Sequence, residues 1–247
     1  MDHPSESAKA DDSGARAAPR DWNRVTQELL DFSPAALMVL ESLVDRHPEL
    51  RPCAPDLGRA FQTTARCFSQ GGTLFVCGNG GSQSDALHIA GELDKSFKHP
   101  RSLSEEQKKA FAGLPGGEEL ANGLQRGLPT IPLGANPALT SAISNDNPLP
   151  HIVFAQELYS LGRRGDVLLA ISTSGKAQNA RYAAATARAL GIAVISLTGP
   201  GGGPLAEQAG IAIRAPGSST AEIQGWHIQL YHAFCDMLEV HAFGPAE

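Results

Sequence analysis

The pattern of apolar and polar positions along this chain predicts alternating strands and helices. Short continuous apolar runs, which are typical of buried parallel strands, occur at residues 73–77, 130–133, 166–171, 192–197 and 211–214. Apolar residues recur at helical spacing in residues 82–97, 137–143, 150–161, 177–190, 203–209 and 219–240. This alternation predicts an α/β fold, a five-stranded parallel sheet with helices on both faces.

Two helices are predicted ahead of the sheet, within residues 22–70. The first covers residues 22–47 and is interrupted at Ser33-Pro34, which is typical of a helix cap and restart. The second covers residues 54–69. Both are amphipathic and need a surface to pack on, and two alternatives remain open: a bundle with another copy of the chain, or packing on their own domain.

Length and composition favour one domain, residues 22–247. Residues 1–21 are polar and lack the apolar segment of a signal peptide, so we expect a disordered tail there. The net charge of −6 argues against a nucleic-acid partner, which requires a basic face. No apolar run is long enough to span a membrane. Cysteines without metal-binding spacing, in apolar surroundings, predict buried reduced thiols and a cytoplasmic protein: Cys53, Cys67, Cys77 and Cys235.

A glycine-rich loop follows the first predicted strand. The apolar run Leu74 to Cys77 ends in Gly78-Asn79-Gly80-Gly81-Ser82, and a helical pattern begins at once. Glycines let the backbone approach a ligand closely, and the free N–H groups and dipole of a helix N-terminus favour phosphate. The loop therefore predicts a phosphate site.

A second loop of the same kind follows the strand at 166–171. Ser172, Thr173, Ser174 and Gly175 lead into an alanine-rich helix, and their hydroxyls can hold phosphate or sugar oxygens. An isolated serine or threonine at a helix start is usually an N-cap, which is the structural alternative. Because ligands of parallel sheets bind beyond the carboxyl ends of the strands, two such loops together favour a ligand site.

His88 and Glu92 follow the first loop on its helix. They are four residues apart, so they lie on one helix face and can share a metal ion or act as an acid/base pair. A helical His/Glu pair is usually surface electrostatics. Its place directly after a glycine loop favours a functional role.

Residues 98–129 interrupt the regular alternation. They include a charged helical piece from Ser104 to Phe111, with Ser104 as its N-cap. A connection of this length is functional or disordered. Lys98, Arg101 and Arg126 make it a candidate lid over an anionic substrate, and a solvated surface excursion is the alternative.

Several segments of the chain closely resemble phosphoheptose isomerases, which have the sugar isomerase (SIS) fold. They are CGNGGS at 77–82, the His88/Glu92 pair, DVLLAISTSG at 166–175, VISLTG at 194–199 and EIQGWHIQLYH at 222–232. The resemblance covers residues 22–97 and 130–240 and implies a flavodoxin-like three-layer fold, with the N-terminal helices used in oligomer packing.

The resemblance implies an activity: conversion of sedoheptulose 7-phosphate to D-glycero-D-manno-heptose 7-phosphate, or its altro isomer, through an enediolate, for heptose biosynthesis. It also implies a homotetramer with active sites at subunit interfaces, one Zn²⁺ per site and no organic cofactor. The substrate-binding positions of the family correspond to Asn79, Gly80, Gly81, Ser82, Asn145, Asp146, Ser172, Thr173, Ser174 and Gln224.

The family pattern makes Glu92 the base and His232 the partner acid/base. Enediolate chemistry needs a base near the carbon acid and a group that exchanges protons with the oxygens, and histidine titrates near neutrality. The family's metal ligands correspond to His88, Glu92, Gln224 and His232. His227 is the local rival of His232, with helix-surface or interface packing as its alternative role.

Spacing constrains this ligand set. Gln224 and His232 are eight residues apart, which on one straight helix is about 12 Å of rise. Either Gln224 precedes the regular helix, with Gly225 loosening the join, or neighbouring subunits supply different ligands.

Three departures from the family pattern lie at the predicted pocket or its rim. Ala177 stands where a phosphate-binding serine is usual, Ala221-Glu222 replaces the usual Asp-Arg, and residues 98–129 are longer than the usual connection. They keep two alternatives open: an isomerase of another phosphosugar, or a non-catalytic SIS module that binds a phosphosugar or a protein. The retained acid/base residues count against the second.

Overall fold

The computed structural model describes residues 22–244, so the predicted tail 1–21 lies outside the described residues. Five strands form one sheet in the order β2-β1-β3-β4-β5, and all neighbouring strands are parallel, as predicted. The strands are β1 (Leu74–Cys77), β2 (Thr130–Pro132), β3 (Val167–Ser172), β4 (Ala193–Thr198) and β5 (Ile211–Arg214).

The helices agree with the sequence pattern in place, but the helix predicted over residues 22–47 is divided at Ser33 into two helices, and short helices are added. They are α1 (Trp22–Phe32), α2 (Pro34–Arg46), α3 (Ala54–Ser69), α4 (Gly81–Leu93), α5 (Glu105–Lys109), α6 (Gly117–Gly123), α7 (Pro137–Asp146), α8 (Val153–Leu161), α9 (Gln178–Leu190), α10 (Gly203–Gln208) and α11 (Thr220–Phe243). A 3-10 helix, Pro48–Cys53, joins α2 to α3, and neither it nor α6 was predicted.

The helices form a layer on each face of the sheet. On one face, α1 to α4 and α11 pack over residues such as Val76, Leu169 and Ile195. On the other face, α8, α9 and α10 pack over residues such as Phe75 and Leu168. Because successive side chains of a strand point to opposite faces, fully buried strands supply both cores. Within residues 22–244, no helix combines the length and the apolar character needed to cross a membrane.

The N-terminal helices pack on their own domain. Ser33 ends α1 and caps α2, where its hydroxyl accepts a hydrogen bond from the Ala36 N–H at 3.4 Å. Both α2 and α3 contact the long helix α11, so packing on the same domain is confirmed. Leu30 and Met38 remain exposed on these helices, and their use in oligomer packing stays a prediction.

Asp166 explains why β1 and β3 begin one residue later than predicted. Its carboxylate accepts hydrogen bonds from the backbone N–H groups of Thr73 at 2.8 Å and Arg163 at 2.7 Å. The Asp166 carboxylate therefore holds the backbone just before β1 and β3 by hydrogen bonds that are not part of the sheet. β3 itself starts at Val167.

The segment 98–129 closes on itself at a narrow neck. The Arg126 N–H donates to the Arg101 carbonyl at 2.7 Å, and Ser102 forms an antiparallel bridge with Gln125. Between them lie α5 and α6. Ser104 caps α5, as predicted, and the cap is a reciprocal capping box with Gln107. The excursion therefore leaves and rejoins the chain at one place.

The three cations that made this segment a candidate lid already have partners. Arg101 is fully buried in an ion pair with Glu239, Lys98 pairs with Asp236, and the Arg126 guanidinium donates to the Ser102 carbonyl. α4 ends at Leu93 rather than at residue 97, and the Glu239 carboxylate accepts the N–H groups of Phe97 and Lys98. A lid function for the segment stays a prediction.

The buried ion pair fastens two helices together. Arg101 Nε lies 2.7 Å from Glu239 Oε1, and the guanidinium also donates to the carbonyls of Leu93 at 2.6 Å and Glu92 at 3.1 Å. One side chain thus satisfies the orphan carbonyls at the end of α4 and binds α11.

We predict that Arg101→Met destabilises the fold by about 3–5 kcal/mol, because it leaves the Glu239 carboxylate buried without its counter-charge. Urea unfolding followed by circular dichroism measures this change.

Arg126→Met is the matched control. The Arg101 and Arg126 guanidinium groups both stack on the Phe243 ring, at 4.9 and 4.7 Å from its centroid, but only Arg101 is fully buried. We expect the control to cost less than about 1 kcal/mol. Equal losses in the two variants would contradict the assigned role of the ion pair.

Candidate active site

The first predicted phosphate loop connects β1 to α4. Gly80 has φ 56°, a conformation that favours glycine, and it precedes the first residue of α4. A Cβ atom on Gly78 would lie 2.5 Å from the Ser82 carbonyl oxygen, so only glycine fits there. Within the part of the chain that is described, the Ser82 hydroxyl makes no hydrogen bond and is available to a ligand.

The second loop connects β3 to α9 and has the same character. Ser172 is the last residue of β3, and Gly175 turns the chain at φ 63°. The Ser174 hydroxyl accepts the Lys176 N–H at 3.2 Å. The hydroxyls of Ser172 and Thr173 have no hydrogen-bond partner among residues 22–244.

The sheet brings these two loops side by side. β1 pairs with β3, and Cys77 at the end of β1 lies beside Ala170. The side-chain amides of Asn79 and Asn179 exchange two hydrogen bonds, at 2.8 and 2.7 Å, and so link the first loop to the start of α9. Sequence reasoning missed Asn179, because its partner lies 100 residues away.

A cluster of titratable side chains lies further along α4. His88 Nε2 is 2.9 Å from Glu92 Oε1, and His232 Nε2 on α11 is 3.5 Å from His88 Nε2. One ligand atom from each residue lies within 4.8 Å of the others. All three residues are partly buried, so the cluster can be reached from solvent. Two imidazoles and one carboxylate are a donor set that zinc prefers.

Tyr231 and Asp85 lie behind the cluster, and sequence reasoning missed both. The Tyr231 hydroxyl is 2.9 Å from His88 Nδ1. Burial raises the pKa of Tyr231, and the neighbouring Asp85 carboxylate raises it further. Burial also raises the pKa of Asp85. Tyr231 directly precedes His232 and Asp85 lies three residues before His88, but neither spacing marks a role by itself.

The surroundings of His232 favour its neutral form. Burial lowers the pKa of His232, and the nearby His88 lowers it further. A neutral imidazole can accept a proton or bind a metal ion, so this shift suits both roles predicted for His232.

Gln224 does not join the cluster in this chain. It lies inside the regular helix α11, so the alternative in which it precedes that helix is wrong. A Cβ atom on Gly81 would overlap the Gln224 side-chain amide, which places Gln224 at the first loop. His88 is seven residues further along α4, about 10 Å of rise.

No hydrogen bond within residues 22–244 links the side chains of Asn145 and Asp146 to either loop. The two residues end α7, are exposed, and hydrogen-bond to each other at 2.8 Å. Within the same range, neither side chain hydrogen-bonds to the cluster. α7 buries none of its residues, so this helix is uncovered in one copy of the chain.

Comparison with known proteins decides the family. A family model for the SIS domain matches residues 129–199, from the start of β2 to the end of β4. A phosphoheptose isomerase of Rhodospirillum rubrum is 35% identical over 199 residues, which are 81% of this chain and 93% of the relative. This chain belongs to the phosphoheptose isomerase family. A phosphoheptose isomerase of Thiobacillus denitrificans is also 35% identical, over 78% of this chain and 87% of the relative.

Solved structures of phosphoheptose isomerases share the fold. One from Neisseria gonorrhoeae has a TM-score of 0.59 at 29% identity and covers 87% of this chain and 98% of its own. One from Francisella tularensis has a TM-score of 0.62 at 26% identity, over 86% of this chain and 96% of its own. These matches confirm the predicted SIS fold.

His227, the sequence rival of His232, is a buried structural residue in this member of the phosphoheptose isomerase family. It is fully buried, and its Nε2 lies 3.2 Å from the Thr198 carbonyl oxygen at the end of β4. Burial lowers the pKa of His227 to about 4, and the Thr198 carbonyl opposes this shift. His227 therefore supports the end of β4 as a neutral donor.

We predict that His227 makes stability depend on pH. Its pKa falls from 6.5 in the unfolded chain to about 4 in the fold, so between these values the unfolded chain binds the extra proton. The free energy of unfolding therefore decreases as pH falls through this range, by on the order of 3 kcal/mol from this group. Urea unfolding at a series of pH values between 7.5 and 4 measures the slope.

His227→Gln should flatten this dependence, because an amide can donate to the Thr198 carbonyl without titrating. His151→Asn is the control, since His151 is exposed and asparagine tolerates its φ of 67°. The assignment fails if wild type and His227→Gln show the same slope.

Proposed function

We propose that this chain isomerises sedoheptulose 7-phosphate to D-glycero-D-manno-heptose 7-phosphate or its altro isomer, for heptose biosynthesis. The observation that carries the proposal is the His88/Glu92/His232 cluster on the helix that begins at the glycine-rich loop. Membership of the phosphoheptose isomerase family supports the substrate class. A non-catalytic module would have no need of this cluster.

We infer that the substrate binds with its two ends at two different places. Its phosphate lies at the loops 78–82 and 172–176, where hydroxyls without partners and two helix N-termini favour an anion. Its carbonyl end lies at the cluster, because Ser82 and His88 are six residues apart, about 9 Å of rise on α4. An open-chain sugar phosphate carries its charge and its carbonyl at opposite ends.

In this orientation Glu92 acts as the base that removes the proton next to the carbonyl carbon. His232 exchanges protons with the sugar oxygens, since its lowered pKa leaves it neutral and able to accept one. A Zn²⁺ ion held by His88, Glu92 and His232 would polarise the carbonyl when bound. Asn79 and Gln224 lie at the first loop and contact the sugar or its phosphate from there.

We also infer that the working form is a cytoplasmic homotetramer. α7, with Asn145 and Asp146, is uncovered in one copy, and Leu30 and Met38 are exposed on the N-terminal helices. Gln224 can serve as a metal ligand only from a second copy, because its own chain places it at the first loop. The four cysteines are free and buried, which fits a reducing compartment.

Incubation with sedoheptulose 7-phosphate in D₂O, followed by NMR of the product, tests the activity. We expect an aldoheptose phosphate deuterated at C2 from the wild type, and the same spectrum gives its C2 configuration. Glu92→Gln should lower kcat by about 10²–10⁴-fold, because an amide cannot remove the proton.

Glu118→Gln is the control for this substitution, since it makes the same change of side chain on the exposed helix α6 and should keep full activity. Full activity in Glu92→Gln would remove Glu92 as the base. Turnover of a shorter phosphosugar in preference to the heptulose would favour the alternative substrate, which Ala177 keeps open.

Substitution of Lys176 gives a second test, which probes the binding of the substrate phosphate. Lys176 precedes α9, is exposed, and its ammonium group has no partner among the residues that the structure describes. It stands next to Ala177, where the family pattern has a phosphate-binding serine. We predict that Lys176→Ala raises KM by about 10-fold or more with little change in kcat, because a charge-assisted contact to phosphate is lost.

Arg188→Ala, near the other end of α9, removes the same charge at a distance and should leave KM unchanged. Steady-state kinetics at low and high salt measure both variants. A KM equal to that of the wild type in Lys176→Ala would show that the phosphate binds elsewhere.

A further inference from the structure

We propose that Tyr231, backed by Asp85, is a positioning residue that stabilises the form of His88 with its proton on Nδ1. In this role it makes His88 Nε2 available to a divalent cation. The proposal rests on the proposed function only in its choice of zinc as the cation, and its tests do not require turnover.

The geometry places Tyr231 directly behind His88. Tyr231 is 2% exposed, and its ring meets the His88 ring edge-on, at 74° with centroids 5.4 Å apart. Its hydroxyl is 2.9 Å from His88 Nδ1, while His88 Nε2, on the far side of the ring, is 2.9 Å from Glu92 Oε1. Both ring nitrogens therefore have one protein partner each.

The protons shared among the side chains of Glu92, His88, Tyr231 and Asp85 can be counted. A carboxylate only accepts hydrogen bonds, so the contact with Glu92 requires the proton of a neutral His88 to be on Nε2. Nδ1 is then an acceptor, and the Tyr231 hydroxyl must donate its one proton to it. The Tyr231 hydroxyl then has no proton to donate to Asp85. Asp85 Oδ2 is indeed buried without a hydrogen-bond partner in the described part of the chain.

A cation bound to the cluster would move the His88 proton from Nε2 to Nδ1. A neutral imidazole that binds a metal ion through Nε2 carries its proton on Nδ1, which then donates to the Tyr231 oxygen. The Tyr231 proton then becomes free to turn toward the neighbouring Asp85 carboxylate. Asp85 Oδ2 then gains a donor, whereas in the other state it is a buried acceptor without a partner, which is unfavourable.

Tyr231 and Asp85 thus favour the arrangement in which His88 presents an unprotonated Nε2. The hydroxyl accepts in one state and donates to His88 in the other, which a phenylalanine or an aliphatic residue cannot do. This role belongs to the side chain at position 231, next to the ligand His232, and does not depend on the identity of the sugar.

Tyr231→Phe tests the proposal, with zinc as the probe. We expect the zinc affinity of the metal-free protein, measured by competition with a chelator, to fall about 10–100-fold. Binding of inorganic phosphate should not change, because no hydrogen bond within residues 22–244 joins the Tyr231 side chain to either loop. Tyr159→Phe, which removes an exposed hydroxyl, is the control and should bind zinc like the wild type.

The ¹⁵N NMR signals of the His88 ring give a second readout. In the wild type we expect the proton on Nε2 without zinc and on Nδ1 with it, and in Tyr231→Phe a smaller share of the Nδ1–H form at the same zinc concentration. Asp85→Asn keeps the side-chain shape and should also weaken zinc binding, by less than Tyr231→Phe. It serves as the test if circular dichroism shows that Tyr231→Phe is unfolded.

Unchanged zinc affinity in a folded Tyr231→Phe protein, or in Asp85→Asn where that variant serves as the test, would overturn the proposal, whatever the isomerase activity. A wild type that does not turn over the heptulose phosphate, but loses zinc affinity in Tyr231→Phe, would overturn the proposed function and leave this inference intact.

Discussion

β1 and β3 run side by side in the same direction, with Cys77 beside Ala170, and the site is built on this pairing. The chain crosses from β1 to β2 on one side and from β3 to β4 on the other, so the strand order reverses between them. At such a point two loops diverge above the sheet and leave a crevice between them. The glycine-rich loop and the Ser172–Gly175 loop flank this crevice, and the Asn79–Asn179 amide pair holds them together.

The His88/Glu92/His232 cluster depends on a second constraint, the packing of α4 against α11. His88 and Glu92 lie on α4 and His232 lies on α11, so the distances within the cluster are set by how these helices meet. Arg101 bonds the carbonyl of Glu92 and the carboxylate of Glu239, which is seven residues after His232, about 10 Å along α11. A buried charge pair with this many directed hydrogen bonds fixes the register of two helices more closely than apolar packing alone.

The parts of this molecule that the sequence predicted are those with local signals. Apolar runs that end in glycine or serine marked β1 and β3 with their loops, and the i, i+4 spacing of His88 and Glu92 placed both on one face of α4. The missed parts depend on residues far apart in the chain. Arg101 was expected near an anionic substrate, but it is buried because Glu239, 138 residues away, supplies its counter-charge. Asn179 meets Asn79 across 100 residues, and no local pattern marks either contact.

The long segment 98–129 is compatible with the family's fold because of where it closes. Its neck joins Arg101 to Arg126 by a backbone hydrogen bond, and the chain from Leu128 onward bonds back to the end of α4 through the Leu93 carbonyl. The path from α4 to β2 is therefore complete without α5 and α6, and a longer loop adds closure entropy only slowly. An insertion here lengthens the chain without moving α4, since Arg101, whose ion pair with Glu239 holds α4, lies at the neck and outside the part with α5 and α6. The structure thus separates the variable segment from the residues that carry the chemistry.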